Sequence, residues 1–246
     1  FLPATGRLTH LRFPPGARAD RGVRAGDAIS PHYDPMIAKV IVHGPSRAIA
    51  LRRLRRALAE TEVAGTVTNL DFLRALSAHR GFSDGAVDTG LIDRDRTALT
   101  AVPDPAPAVV AQAALAAAGL LGDTPPETGF ALWAPLARTV VLTRDDHDVV
   151  CVLDVHGPDA VTIRTPDATV TAARTGGLWR FDGAPAAAVH VDAGSVTVFA
   201  APTAVFGIAD PLARAAGAAT GDAVTVAPMP GRVVEVAVAA GQAVAA

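Results

Sequence analysis

Apolar residues recur with a helical period in "SRAIALRRLRRALAET". Leu51, Leu54 and Leu58 fall on one face at i, i+3 and i+7, and Ser46 precedes them as an N-cap residue. The pattern therefore predicts an amphipathic helix with its leucines turned inward. Most of its cationic side chains lie off that face, where a solvated basic surface is a simpler interpretation than an anion site. These are Arg52, Arg53, Arg55 and Arg56.

A second helical pattern follows in "TNLDFLRALSAH". Thr68 is the expected N-cap, Asp71 in the first turn favours the positive end of the helix dipole, and the helix should end near His79. Ahead of both helices, "GRLTHLRF" and "MIAKVIVHG" carry alternating or β-branched apolar residues between glycines and prolines, which is typical of strands. Residues 1–100 are therefore predicted to be α+β.

The pattern changes after Pro103. "AVPDPAPA" is a proline-rich connector, and the following "AVVAQAALAAAGLL" is helix-favouring and apolar nearly all round, so this helix should be buried. Short apolar runs then alternate with turn pairs such as Asp145-Asp146, Gly176-Gly177 and Asp182-Gly183. The runs are "FALWA", "RTVVLTR", "DVVCVLDVH", "AVTIRT", "ATVTAAR", "GLWRFD", "AAVHVDA" and "SVTVFA".

About eight short strands at this spacing favour a closed barrel or a sandwich. We expect residues 101–208 to form a mostly antiparallel β-barrel with a long buried helix inside or across it. The Ala- and Gly-rich residues 209–221 are typical of a linker. Residues 222–246 carry two valine-rich runs around a turn made by Pro228, Met229, Pro230 and Gly231.

Composition narrows the function. Half of the 246 residues are apolar, which is enough for one to three cores, and a net charge of −2 gives no basic excess for nucleic acid. An aromatic content of 4% also argues against an oligonucleotide-binding barrel. No apolar run is long enough for a membrane span and no segment has the pattern of a signal peptide, so we expect a cytoplasmic protein. Cys151 lies in an apolar run and is interpreted as a buried hydrophobic residue rather than a nucleophile.

One cluster has candidate chemistry. Lys39 is the only lysine among the 22 Lys and Arg residues, so a compact ammonium could be selected here for pairing or for contact with an anion. A partly buried ion pair with Asp34 or another acid explains it equally well. His32 and Tyr33 are adjacent, but the cluster has neither triad spacing nor metal-ligand spacing. The glycines of "RADRGVRAGD" are typical of hairpin turns and not of a phosphate loop.

Four segments carry a family resemblance. "FLPATGRLTHLRFP", "GVRAGDAISPHYDPMIAKVIV", "RRLRRALAETEVAGTVTNLDFLRALSAHRGFSDGAVDTGLI" and "APMPGRVVEVAVAAGQAV" are similar, in this order, to the biotin-containing subunit of biotin-dependent acyl-CoA carboxylases. "VAGTVTNLDFL" with "HYDPMIAK" most resembles the methylcrotonoyl-CoA carboxylase branch, and the propionyl-CoA and geranyl-CoA carboxylases are neighbouring alternatives.

The resemblance implies a ligase that uses ATP, Mg²⁺ or Mn²⁺ and bicarbonate to carboxylate a tethered biotin. The carboxyl then passes to an acyl-CoA on a carboxyltransferase (beta) subunit, so a hetero-oligomer is expected. Residues 1–100 would be the C-terminal part of the biotin carboxylase domain, residues 101–208 a subunit-docking domain, and residues 222–246 the first strands of a biotinyl carrier domain.

The resemblance also sets what this chain should lack. The phosphate loop, the metal-binding acids and the biotin-holding arginine would precede residue 1, and the biotinyl lysine would follow Ala246. Tyr33, Asp34 and Lys39 are then supporting residues of the catalytic domain only. The chain by itself should bind no cofactor and should be inactive. A reading of another class, a non-enzymatic protein-interaction module, stays open.

Overall fold

The structure, a computed structural model, describes residues 4–30, 32 and 34–209. Residues Phe1–Ile208 belong to one compact unit. The expected carrier segment 222–246, with its Pro228, Met229, Pro230 and Gly231 turn, lies outside the described residues, as does the expected linker beyond Ala209. We refer to residues 4–100 as the N-terminal region and to residues 101–208 as the sheet region.

The elements alternate in the N-terminal region and then become nearly all β. The helices are α1 (Arg47–Glu60), α2 (Leu70–Ala78), α3 (Arg80–Asp84), α4 (Leu91–Arg94), α5 (Arg96–Thr100) and α6 (Pro107–Ala117). The strands of the N-terminal region are β1 (Gly6–Arg7), β2 (His10–Arg12), β3 (Arg18–Arg21), β4 (Ala28–Ile29), β5 (Ala38–Ile41) and β6 (Glu62–Ala64). Those of the sheet region are β7 (Leu136–Arg144), β8 (His147–Gly157), β9 (Ala160–Arg164), β10 (Thr169–Thr175), β11 (Leu178–Phe181), β12 (Ala184–Pro185), β13 (Val189–Asp192), β14 (Ser195–Val198) and β15 (Ala204–Ile208).

The N-terminal region is α+β, as the pattern predicts. Its strands form three antiparallel pairs, β1 with β4, β2 with β6 and β3 with β5. Ser46 is the N-cap of α1, and its hydroxyl accepts from the Ile49 amide at 3.4 Å. Leu58 is buried, so the predicted face of α1 does turn inward.

The start of α2 differs by one residue from the prediction. Asn69, not Thr68, is the N-cap, and its side chain makes no capping hydrogen bond. The Thr68 hydroxyl instead accepts from the Leu70 amide at 3.4 Å, two residues on, so it supports the turn that leads into the helix. Asp71 lies in the first turn and His79 ends the helix, as expected. The short helices α3 to α5 were not predicted, since four or five residues are too few for an apolar period.

The sheet region contains one nine-stranded antiparallel sheet with the order β12-β11-β10-β9-β8-β7-β15-β14-β13. The predicted turn pairs form its hairpins: Asp145 and Asp146 both have positive φ, as do Gly176 and Gly177. Two consecutive positive φ angles give the turn whose twist matches that of the flanking strands. Alternate residues of β8 to β11 are buried on one face, which produces a core.

Helix α6 lies against that buried face. Seven of its residues are buried, from Val110 to Ala116, and Leu115 has no exposed surface. The helix ends in a left-handed Gly119 with φ of +73°, and the Leu120 amide donates to the Leu115 carbonyl at 3.0 Å. This is a Schellman ending, and the buried Leu120 supplies its hydrophobic contact.

The closed barrel that we expected is not formed. The sheet wraps partly around α6 and is open between its edge strands, β12 and β13, which follow each other in the chain. The physical reason is local: the amide of Gln112 in α6 bonds to the backbone of Ala187, between these two strands. The helix side chain therefore takes the place of the missing strand pairing.

Three elements of the sheet region were predicted incorrectly, and one of them is the two-residue strand β12 (Ala184–Pro185), which no predicted run includes. "FALWA" is not a strand; it forms an exposed loop after Gly129, whose φ of +78° and close approach to Val155 turn the chain away from the sheet. Strand β15 was missed because a glycine, Gly207, interrupts its short apolar pattern. Among the described residues, no helix is both long enough and apolar enough to cross a membrane.

Candidate functional site

The polar cluster of the sequence lies before β5. The Asp34 carboxylate accepts from the Met36 amide at 2.9 Å and is exposed, so it shapes the turn that leads into the strand. The His32 amide donates to the Ser30 hydroxyl at 3.4 Å. Tyr33 lies outside the described residues. The described part of this cluster is therefore a solvent-facing turn.

Of the two interpretations of Lys39, the partly buried ion pair does not agree with its position in the structure. Lys39 is exposed, because residues 38 and 40 of β5 face inward and residues 39 and 41 face solvent. It lies directly across the ladder from Asp20 of β3, whose carboxylate is held by Arg18 at 2.7 and 2.9 Å. The hydrogen bond from Arg18 lowers the pKa of Asp20, and the charge of Lys39 adds to this. In the described part of the chain, Lys39 itself forms no salt bridge with Asp34 or any other acid.

Cys151 has the buried position that the sequence predicts. It has no exposed surface, and burial raises the pKa of its thiol to about 11. A thiol with so high a pKa is almost entirely protonated near neutral pH and is a poor nucleophile. Cys151 is therefore a packing residue of the hydrophobic core.

The basic face of α1 is satisfied mainly within the protein. Arg53 donates to the His43 carbonyl at 2.7 Å, and Arg55 donates to the Ser77 carbonyl at 2.8 Å. Arg56 pairs with Glu60 at 2.6 Å. These contacts favour a structural surface over an anion site. They agree with the sequence-based interpretation of this face as a surface and not an anion site. They differ from it because these guanidinium groups bond to protein groups as well as facing solvent.

A buried carboxylate lies where the N-terminal region meets the sheet region. Glu62 of β6 has a side chain that is 7% exposed, and it accepts from Arg12 through both oxygens and contacts His10 Nε2 at 2.7 Å. The hydrogen bond from Arg12 is the main cause that lowers the pKa of Glu62, the hydrogen bond with His10 acts in the same direction, and burial opposes both. The carboxylate is therefore ionised at neutral pH.

His10 extends this cluster to the sheet. Its ring centroid lies 5.0 Å from that of His190 in β13 and 5.3 Å from that of Phe199, which follows β14. His190 is directly opposite the buried Thr197 of β14. The N-terminal region thus packs on the outer face of β13 and β14, opposite the face that covers α6.

Arg74 forms the second connection between the regions. Its side chain is 12% exposed, and its guanidinium donates to the Leu58 carbonyl at 3.0 Å, at the end of α1. It also donates to the Ala200 carbonyl at 3.3 Å and the Thr203 hydroxyl at 3.0 Å, in the loop before β15. Asp71 holds the same guanidinium at 2.7 Å. One planar cation therefore joins a helix end to a loop of the sheet region.

The largest exposed apolar segment lies between α6 and β7. Trp133 is 96% exposed. This is unusual, because a tryptophan side chain has a large apolar surface that is normally buried. The exposed apolar loop, as we call it, consists of Phe130, Leu132, Trp133 and Leu136. Exposed large apolar side chains grouped in one short segment are typical of an interaction site in soluble proteins.

The described residues contain no group of three or more His, Cys, Asp or Glu side chains that could hold a metal ion. At the junction, the polar side chains of His10, Arg12 and Glu62 bond to each other.

Comparison with known proteins finds similarity in the first part of the chain. Residues 1–94 match the family described as the biotin carboxylase C-terminal domain. This match covers about two fifths of the chain and shows what these residues are similar to. The resemblance drawn from the sequence motifs is thereby confirmed for this region, and Glu62, Arg12 and most of the Arg74 contacts belong to it.

The individual relatives match the same domain. The chain is 50% identical over 95 residues to "Methylcrotonoyl-CoA carboxylase subunit alpha, mitochondrial" of Glycine max, with 38% of this chain and 13% of that protein covered. It is 40% identical over 102 residues to "Urea amidolyase" of Saccharomyces cerevisiae, with 42% and 6% covered. A complete multifunctional pyruvate carboxylase from Rhizobium etli is 30% identical, with 57% of this chain and 15% of that chain covered, at a TM-score of 0.41. The chain thus spans about an eighth of the length of the carboxylase relative.

Sequence reasoning missed the junction residues. His10 and Glu62 are joined by the pairing of β2 with β6, and His190 reaches them from a strand far along the chain. A lone histidine in a strand gives no signal of such a partner. Arg74 had a weak signal, since it follows Asp71 at i+3 on a helix.

Proposed function

We propose that this chain is part of the biotin-containing subunit of a biotin-dependent acyl-CoA carboxylase of the methylcrotonoyl-CoA type. The observation that carries the proposal is the 50% identity of its biotin carboxylase C-terminal domain to a methylcrotonoyl-CoA carboxylase alpha subunit. The complete subunit would use ATP and bicarbonate to carboxylate biotin, and a carboxyltransferase subunit would transfer the carboxyl to the acyl-CoA. The protein would be a ligase within a hetero-oligomer.

In this proposal the described residues support catalysis and do not perform it. Mg²⁺ or Mn²⁺ would be held by parts of the complete subunit other than the described residues. Asp34 and Lys39, with Tyr33, would complete the carboxylase domain from its C-terminal side. ATP, the metal and biotin would act in the complete subunit, and the isolated chain would be inactive.

We propose that the sheet region docks the carboxyltransferase subunit and that the exposed apolar loop forms the centre of the contact. Trp133 and Phe130 expose large rings without a packing partner that would cover them, and aromatic anchors of this kind dominate interface energies. Leu136 is the first residue of β7, and Gly129, just before the loop, lies close to Val155 of β8, so both ends of the loop are attached to the sheet.

A binding measurement with matched variants tests the docking proposal. We expect the chain to bind the carboxyltransferase subunit of a methylcrotonoyl-CoA carboxylase, and Trp133→Ala to weaken binding by about 30-fold, which corresponds to about 2 kcal/mol. Val67→Ala is the control, because Val67 is 82% exposed in the N-terminal region and away from the loop. Equal affinity of the two variants would remove the loop from the interface.

The identity of the acyl-CoA substrate is the most detailed part of the proposal. The urea amidolyase of Saccharomyces cerevisiae shares the same domain at 40% identity, so the domain is common to enzymes named for different substrates. Propionyl-CoA and geranyl-CoA are therefore the alternative substrates. A role in leucine degradation would follow only for the methylcrotonoyl-CoA enzyme.

A cytoplasmic location is our proposal for the compartment. The single cysteine is free and buried, which suits a reducing compartment. The relatives from Glycine max and Dictyostelium discoideum are named as mitochondrial. A fractionation of the source cells with an antibody to this chain would distinguish the two locations.

A non-enzymatic interaction module is the alternative of another class. The exposed apolar loop favours it as much as it favours docking within a carboxylase. The two differ in one measurement: a carboxylase subunit carries biotin on the natural polypeptide, whereas a simple interaction module does not. Intact mass and avidin binding of the natural protein decide between them.

A further inference from the structure

The contact between the N-terminal region and the sheet region contains two stacked histidines. The rings of His10 and His190 are tilted by 31° with centroids 5.0 Å apart, and Phe199 covers His10 at 5.3 Å. His10 stands on β2 and His190 on β13, so the pair bridges the two regions. Any change in charge on these rings therefore acts across the contact.

The charged groups nearest to His10 differ from those nearest to His190. His10 is bonded to the buried carboxylate of Glu62 at 2.7 Å, and Arg12 already neutralises that carboxylate. Next to His190, the nearby acid is Asp192 on the same strand. His10 thus has a carboxylate partner in direct contact, whereas His190 has only a weaker, indirect one.

We propose that His10 and His190 form a proton-operated contact that holds the N-terminal region on β13 and β14 while His190 is neutral and weakens when His190 is protonated. A proton on His190 would place a positive charge against the His10 ring, at a contact whose ring centroids are 5.0 Å apart. Burial disfavours the charged form of His190 at this site. The two regions would therefore separate locally at this edge of the sheet.

The direction of the pH effect follows from His190. Burial is the main cause that lowers the pKa of His190 below its ordinary value of 6.5, the charge of His10 adds to this, and Asp192 opposes it. The unfolded or separated state then takes up the proton more readily than the closed state. The contact is fully stabilised above pH 6.5 and loses stability as the pH falls through the lowered pKa.

The second connection keeps the response local. Arg74 holds the Ala200 carbonyl and the Thr203 hydroxyl through groups that do not titrate near neutral pH. We therefore expect the edge strand β13 to loosen while the loop before β15 stays attached. The sheet region also carries the exposed apolar loop. The position of this loop relative to the N-terminal region would therefore depend on pH.

Hydrogen–deuterium exchange of the 246-residue chain tests the proposal. After correction for the chemical exchange rate, amides of β2 and β13 should exchange at least about three times faster near pH 5.5 than near pH 7.5, while β9 should not change. In His190→Phe, which keeps a ring but cannot titrate, this acceleration should disappear. His190→Gln is a second variant that cannot titrate, and it should also abolish the acceleration. It is included because the larger phenylalanine ring could disturb packing.

A matched histidine on the same sheet provides the control. His156 bonds to Thr162 at 2.9 Å on an exposed surface, so His156→Asn should retain the full acceleration of β2 and β13. The same acceleration in both His190 variants as in the unmodified chain would overturn the proposal. So would an unmodified chain in which β2 and β13 exchange at the same corrected rate at both pH values.

Discussion

The side-chain amide of Gln112 makes with Ala187 the two hydrogen bonds that a neighbouring β-strand would make. Its Nε2 donates to the Ala187 carbonyl at 2.5 Å, and its Oε1 accepts from the Ala187 amide at 3.1 Å. Gln112 is the polar residue among the buried residues of α6. Its bonds to Ala187 give hydrogen-bond partners to its own amide group and to the backbone at the opening of the sheet. This contact explains why an otherwise apolar helix carries a glutamine.

Replacing this amide should destabilise the sheet region. Gln112→Leu keeps the volume but removes both hydrogen bonds and leaves the Ala187 amide and carbonyl without them, which should cost about 1–3 kcal/mol. Urea unfolding followed by the near-UV signal of Trp179 measures the loss. Gln112→Glu, which keeps only the acceptor, should be at least as destabilised, because a buried carboxylate would face the Ala187 carbonyl. Unchanged stability in both variants would contradict the role of this contact.

Helix α6 should be required for the sheet region to fold. Leu115 has no exposed surface, so Leu115→Asp buries an unpaired charge and should cost several kcal/mol, about the whole stability of a marginal domain. Circular dichroism should show loss of cooperative unfolding. Val102→Asp, at an exposed position before the helix, is the control and should unfold as the unmodified chain does. If Leu115→Asp melts normally, the helix is not part of the core.

Arg74 should be irreplaceable by lysine. A lysine keeps the charge but cannot reach the Leu58 carbonyl and the Thr203 hydroxyl together, because it lacks the planar fork. We expect Arg74→Lys to cost about 2–3 kcal/mol. Arg56→Lys is the control on an exposed face, where the same change should cost less than about 0.5 kcal/mol. Equal melting temperatures of the two variants would show that the contacts of Arg74 contribute nothing net.

The stability of the N-terminal region should fall in acid because of Glu62. Its folded pKa is lowered from 4.5, so its contribution is present above pH 4.5 and is lost as the pH falls through the lowered value. Thermal unfolding between about pH 3 and pH 6 should show a steeper decline in the unmodified chain than in Glu62→Gln. Parallel curves for the two proteins would rule out this assignment.

Lys39 should not be biotinylated, although it follows a methionine in "MIAK". Its side chain is exposed, but it lies within β5, paired to β3, and not at a hairpin tip. Co-expression with a biotin ligase and an avidin blot checks this. Lys39→Arg is the control and removes the only lysine. An avidin signal that Lys39→Arg abolishes would show that the ligase accepts a paired strand.

Local patterns predicted local structure well. Ser46 and the leucine period located α1, and the Asp145-Asp146 pair located the β7–β8 hairpin, because each depends only on neighbouring residues. The sequence also predicted the buried position of Cys151, since alternation in a strand repeats over a few residues.

The remaining features depend on distant partners. The open sheet follows from Gln112 and Ala187, which no local pattern connects, and the exposure of Lys39 follows from which face of β5 meets α1. The His10–His190 contact joins strands from opposite ends of the described chain. For the same reason, the exposed "FALWA" loop was taken for a strand: its composition is apolar, and only the Gly129 turn next to Val155 directs it outward.

We propose that these residues belong to a biotin-dependent acyl-CoA carboxylase. The most direct test is the activity of the natural polypeptide that contains them, purified with its associated subunits and assayed with ATP, bicarbonate and each candidate acceptor. We predict avidin-sensitive carboxylation with the highest kcat/KM for 3-methylcrotonoyl-CoA, above propionyl-CoA and geranyl-CoA. Absence of avidin-sensitive carboxylation of every acyl-CoA, or carboxylation of urea alone, would contradict the account.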